Sequence, residues 1–123
     1  MKNQSFPKRL SYSLQGIGSA WKREASFRTQ STMALGVLGL LLWLRPPAVW
    51  WALLMMSCGL VLAAELINTA LEHALDHLHP DLHPAIKVSK DCAAGAVLMF
   101  SLTSVGTFLA FLWSQWVRTS SPR

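Results

Sequence analysis

Four side chains near the middle of this chain have the types and spacing to do chemistry: Glu65, Asn68, Glu72 and Asp76. Separations of three, four and four residues, at about 100° per residue, gather them within an arc of roughly 80° on one helix. Carboxylate and amide oxygens on one face suit a hard divalent cation such as Mg²⁺, which commonly brings phosphate oxygens with it. Every acidic residue except Glu24 falls between positions 65 and 91, in ELINTALEHALDHLHPDLHPAIKVSKD. Lys90 and Asp91 close that stretch, and the lysine supplies a point charge suited to phosphate.

The element that positions the acidic face is set by what precedes it. Residues 48–64 are an apolar run that crosses most of a bilayer core of about 30 Å at about 1.5 Å per residue. The acids therefore begin where hydrocarbon ends and headgroups lie. Carboxylates at that boundary are costly and usually have a partner.

Composition agrees with a membrane setting. The 123 residues leave room for one domain; 52% are hydrophobic and only 14% charged, against about 25% charged in an average soluble chain. The expected fold is all-α and integral to the membrane, with an interfacial helix at about 6–22 and three transmembrane helices at about 24–45, 48–79 and 86–117. In the first of these, Phe6, Leu10, Leu14, Ile17 and Trp21 form one apolar stripe. Lys8, Arg9, Tyr12, Gln15 and Lys22 lie outside it, the pattern of a basic helix lying flat in an interface. Arg28 is expected to snorkel from the first span toward the surface. Trp43, Trp50 and Trp51 flank Arg45-Pro46-Pro47, as an aromatic belt at one interface would. Pro80 and Pro84 break the second span.

The net charge of +5 does not indicate nucleic acid, because the basic residues gather near the N-terminus and beside the spans. With the N-terminus cytoplasmic, that side holds Lys2, Lys8, Arg9, Lys22, Arg23, Arg28, Lys87 and Lys90. The other side holds Arg45, Arg118 and Arg123. This positive-inside bias puts Glu24 and the whole acidic stretch on the cytoplasmic side of a multi-pass protein. No cleavable signal peptide is expected, since the first apolar run lies behind charged residues. Cys58 and Cys92 show no metal-type spacing and read as inert thiols.

Neither GxxxxGK[ST] nor GxGxxG is present, so no P-loop or Rossmann crevice is available for a nucleotide. The histidines offer a competing site. His73 and His77 are one turn apart, with His79, Asp81 and His83 close behind, a pattern able to hold a transition metal. HExxH is absent, and the histidines flank the acidic arc. A hydrated loop is the expected role.

AWKREASFR, ELINTALEHALD and KDCAAGAVL together resemble the prokaryotic diacylglycerol kinases and their undecaprenol kinase relatives, small bacterial membrane lipid kinases. The resemblance covers nearly the whole chain, and E-x-x-N-x-A-x-E-x-x-x-D followed by K-D-x-x-A-x-A-V is its specific part. It implies a homotrimer in the bacterial inner membrane with composite sites between subunits. ATP with Mg²⁺ would be the phosphoryl donor and a lipid hydroxyl, foremost that of diacylglycerol, the acceptor. By motif position, Glu24 and Glu72 are the metal-holding carboxylates. Glu65 resembles the general base on the lipid hydroxyl, with Asn68 beside it. Asp76, Lys90 and Asp91 complete the nucleotide site, and Tyr12 and Phe27 help hold the base.

The chain departs from the family pattern at Arg23, Thr29 and Ala94. KDCAAGAVL leans toward the undecaprenol enzymes, while the step from Asp76 to Lys90 leans toward the diacylglycerol ones. Two readings outside the kinase class compete. A small transporter should carry its ionisable groups near the bilayer midplane, and here they lie at the boundary. A non-catalytic assembly subunit should show no lipid phosphorylation.

Overall fold

A computed structural model describes residues 3–121; Lys2 and Arg123, which enter the charge count, lie outside them. The described residues contain four helices and no strand: α1 (Phe6–Arg23), α2 (Ala25–Leu44), α3 (Ala48–Leu78) and α4 (Pro84–Ser120). The last three are long and apolar enough to cross a membrane.

Helix α1 starts with Pro7 in its first turn, where a missing N–H costs nothing, and ends on Lys22 and Arg23, which suit the negative end of the helix dipole. Its stripe of Phe6, Leu10, Leu14, Ile17 and Trp21 stays largely uncovered by protein, as a helix lying on lipid requires.

A single residue separates α1 from α2. Glu24 takes an extended conformation (φ −110°, ψ 109°) and serves as C-cap of one helix and N-cap of the next. Its N–H donates to Ala20 O at 2.8 Å, and its own carbonyl accepts from Arg28 N at 3.2 Å. Arg28 does not simply snorkel outward. Its Nη1 reaches back to Trp21 O at 2.7 Å and Lys22 O at 3.2 Å, satisfying carbonyls that the end of α1 would otherwise leave orphaned.

Helix α2 stops at Arg45, which is left-handed (φ 47°) and donates its N–H to Leu41 O. Pro46 and Pro47 cannot continue a helix. The turn returns the chain as α3, whose 31 residues span about 46 Å. About 15 Å of α3 therefore projects beyond a hydrocarbon core of about 30 Å; Glu72 and Asp76 lie in that part, with Glu65 and Asn68 at its inner boundary. Helix α4 begins at Pro84, two residues before the sequence-based expectation. Pro84 suits the first turn, and His83 Nδ1 caps it by accepting from Ala85 N at 3.1 Å.

The buried centre lies at the Pro-Pro end, where Leu41, Leu54 and Phe111 meet and Val37, Leu44, Trp50 and Trp51 pack around them. Trp50 meets Phe111 with ring centroids 5.6 Å apart. Of the three belt tryptophans, only Trp43 is strongly exposed; Trp50 and Trp51 are half-buried against this core. Helix α4 packs mainly on α3, and α3 on α2. That pairing holds the outer end of α3 between the start of α2 and the start of α4.

Candidate functional site

The site is assembled from three helix ends. From the start of α2 come its N-cap Glu24 and Ser26, from α3 the acidic face, and from α4 Lys87, Lys90 and Asp91. Antiparallel packing brings these ends to one level, so residues separated by dozens of positions become neighbours.

Glu65 is the innermost acid. It is 5% exposed and is the buried charged residue of the described chain. Ser26 Oγ donates to its Oε2 at 3.1 Å. One turn further out, Asn68 Nδ2 donates to Glu72 Oε1 at 3.3 Å, and Asn68 Oδ1 is buried without a partner. Next comes His73, whose Nε2 lies 3.8 Å from Glu24 Oε1. That contact brings Glu24 to the turn of α3 that carries Glu72. Outermost, Asp76 Oδ1 accepts from Lys90 Nζ across the α3–α4 gap, and Lys87 Nζ donates to Asp91 Oδ2 at 2.6 Å on α4 itself. Both outer acids are well exposed, at 63% for Asp76 and 62% for Asp91. The carboxylates thus grade from buried at the end of the apolar run to solvated at the tip. Coulombic terms are strongest at the buried end, where water screens least.

The two aromatic candidates are placed differently from each other. Tyr12 is exposed on α1, whereas Phe27 is buried on α2. Phe27 helps line an apolar space of about 810 Å³ under α1, together with Leu14, Trp21, Leu62 and Leu66. A second apolar space of about 420 Å³ runs between α2, α3 and α4 past Gln30, Val61 and Ser104.

The donor chemistry can be tested against a metal. Among the described residues, no three His, Cys, Asp or Glu side chains come together as a closed set. Among the described residues the histidines do not converge as the three or four protein ligands of a preformed transition-metal centre. His79 Nδ1 instead lies 3.1 Å from Asp81 O, and His83 caps α4. Magnesium asks for less. It is commonly held by one or two carboxylates, with water and phosphate oxygens completing an octahedron. Glu24, Glu72 and the unpartnered Asn68 Oδ1 are oxygen donors of that kind, so the residues fit.

Nothing in the sequence pattern marks Ser26 or His73 as partners of the site's acids. Ser26 does lie in AWKREASFR, two residues past Glu24, but its partner is on another helix and periodicity within α2 gives no hint of it. His73 was visible only as a flank residue.

The family model described as prokaryotic diacylglycerol kinase matches residues 11–112. A diacylglycerol kinase of Helicobacter pylori (strain J99) is 35% identical over 112 residues, covering 91% of this chain and 84% of its own length. A diacylglycerol kinase of Escherichia coli (strain K12) is 32% identical over 108 residues, covering 88% of each chain. An undecaprenol kinase of Bacillus subtilis (strain 168) is 32% identical over 90 residues, covering 73% of each. The match takes in α2, α3 and most of α4, and with them every acid of the face and every partner found for it. This multi-pass membrane protein therefore belongs to the prokaryotic diacylglycerol kinase family and is a lipid kinase.

Proposed function

We propose that this chain transfers the γ-phosphoryl group of Mg-ATP to the hydroxyl of diacylglycerol, giving phosphatidic acid. One observation carries the reading. The acidic face of α3 runs from buried Glu65 at the membrane edge to the exposed Asp76–Lys90 pair at its tip. A lipid hydroxyl cannot travel far into water, and a nucleotide cannot enter hydrocarbon. A face graded in this way lets each reactant keep its own solvent while they meet between.

In this reading Glu65 accepts the proton of the lipid hydroxyl as its oxygen bonds to the γ-phosphorus. The bond from that phosphorus to the bridging oxygen breaks, and ADP leaves. Such transfers need positioning and charge stabilisation more than covalent help from the protein, so a P-loop is dispensable. Glu24 and Glu72 would hold magnesium, which when bound would neutralise charge on the phosphate oxygens. Asn68 fixes Glu72 through its amide N–H. Lys90, Asp76 and Asp91 bind the nucleotide, Tyr12 is available to its base, and Phe27 supports the α1–α2 junction beside it. The apolar space under α1 reaches Leu66, the residue after Glu65, and has room for an acyl chain. The active form is a homotrimer in the bacterial inner membrane, with the N-terminus and the site facing the cytoplasm.

The acceptor is decided by assay. The purified protein is given labelled ATP, Mg²⁺ and either diacylglycerol or undecaprenol in mixed micelles. Faster labelling of diacylglycerol is expected, in keeping with the broader coverage of the diacylglycerol kinases quoted above. Undecaprenol is the second reading, favoured by KDCAAGAVL and by the Bacillus subtilis relative. Labelled undecaprenyl phosphate with no phosphatidic acid would overturn the first.

A further inference from the structure

Helical hydroxyls in this chain have a common habit. Thr29, Thr32, Ser57, Ser89 and Thr103 each donate to the carbonyl four residues back in their own helix. That bond is the default because the acceptor is always within reach. Ser26 breaks the habit. Its Oγ donates across to Glu65 Oε2 on α3, at 3.1 Å.

The reason lies in the junction. Four residues before Ser26 stands Lys22, which belongs to α1, and the chain is extended at Glu24 between them. The Lys22 carbonyl accepts from Arg28 instead. Ser26 is thus left at the start of α2 without the usual local acceptor, and its hydroxyl is free to serve another helix. It serves the buried carboxylate of the described chain. No other hydrogen-bond donor reaches Glu65 among the described residues, so Oε2 is held and Oε1 is left without a protein partner.

We propose that Ser26 is a positioning residue of this kinase, holding one oxygen of Glu65 so that the other remains free for the acceptor's hydroxyl proton. The inference rests on the assignment of Glu65 as the base. A carboxylate tethered at a single oxygen keeps its rotamer without losing its capacity to accept. Without the tether the group must be ordered anew in each turnover, which lowers the rate of the chemical step and leaves ATP binding alone.

The test compares Ser26→Thr with Ser26→Val, which share a shape and differ by the hydroxyl, so any cost to folding or packing is common to both. Ser26→Ala accompanies them in case β-branching disturbs the junction. Turnover and KM for ATP are measured with saturating lipid, in the parent and in a Glu65→Gln background. A hydrogen bond to a charged group is worth about tenfold or more. Ser26→Val and Ser26→Ala should therefore turn over about tenfold more slowly than Ser26→Thr, with KM for ATP unchanged. In the Glu65→Gln background the Val–Thr difference should shrink to within about twofold, because coupled residues are not additive. Equal turnover of the Thr and Val variants overturns the proposal. So does a difference that persists undiminished with Gln at position 65. Near-normal turnover of Glu65→Gln alone would remove the base assignment itself, a failure seen with Ser26 intact and so distinct from the others.

Discussion

Glu65 and Glu72 are two turns apart on one helix face, and their surroundings differ in the way the two roles proposed for them require. Glu65 is buried at the end of an apolar run with Ser26 as its single donor among the described residues, as the proposed base requires. Glu72 is held by Asn68 and stands level with Glu24, an environment fit for holding a cation. Glu65→Gln keeps volume and hydrogen-bonding capacity but cannot take the proton. Its kcat should fall by about 10²–10⁴-fold while ATP affinity changes little. If Glu65 were merely a structural polar group, turnover would stay near normal and thermal stability would be equal or higher. Glu72→Gln should reduce phosphorylation by about 10²-fold or more, exceeding the 10–100-fold typical of losing an outer-shell partner. Assembly in detergent should be unaffected. Full activity of that variant at ordinary Mg²⁺ would remove Glu72 from the metal site.

At the scale of elements, the α1–α2 junction and the α3–α4 loop matter most. Arg28 ties the end of α1 to the start of α2 by two hydrogen bonds to carbonyls, and the same junction carries Glu24 and Ser26. Arg28→Ala should lower stability by about 1 kcal/mol, read as a reduced Tm in detergent, and should slow turnover through the misplaced Glu24. An unchanged Tm would mean that α1 needs no such cap. The histidine loop predicts the opposite outcome. His79 meets a backbone carbonyl and His83 caps α4, so both have local work. Changing His77 and His79 together to Gln should leave most activity. A loss as large as that of Glu72→Gln would make histidines ligands after all.

At the scale of the molecule, large apolar side chains cover much of the outside of the spans; Leu35, Met56, Met99 and Leu102 are all more than half exposed. Lipid or neighbouring subunits must cover them, and the proposed trimer divides the surface between both. Light scattering of the detergent-solubilised protein should give a protein mass near three times that of the 13.6 kDa chain. A single-chain mass at full activity would exclude composite sites.

The acidic arc, the three spans and the basic amphipathic helix were all legible in the sequence, because each depends on periodicity or hydropathy within one segment. Glu65, Asn68, Glu72 and Asp76 share a face by helical arithmetic alone, whatever α3 packs against. The family too could be read there, since its motifs are local. Contacts between segments could not. That Ser26 turns to Glu65, that His73 meets Glu24 and that Arg28 turns back onto α1 depend on where antiparallel helices align and on which carbonyls a one-residue break leaves open. The position of Trp50 and Trp51 beside the Pro-Pro turn suits an interfacial belt, while their half-burial comes from packing on the Leu41, Leu54 and Phe111 cluster, with Trp50 against the Phe111 ring. Sequence determined which side chains share a helix face and which segments are apolar enough to span a membrane. Tertiary structure decided which of them hold one another, because a hydrogen bond of about 3 Å across two helices is specified by their register, a property that neither helix carries alone.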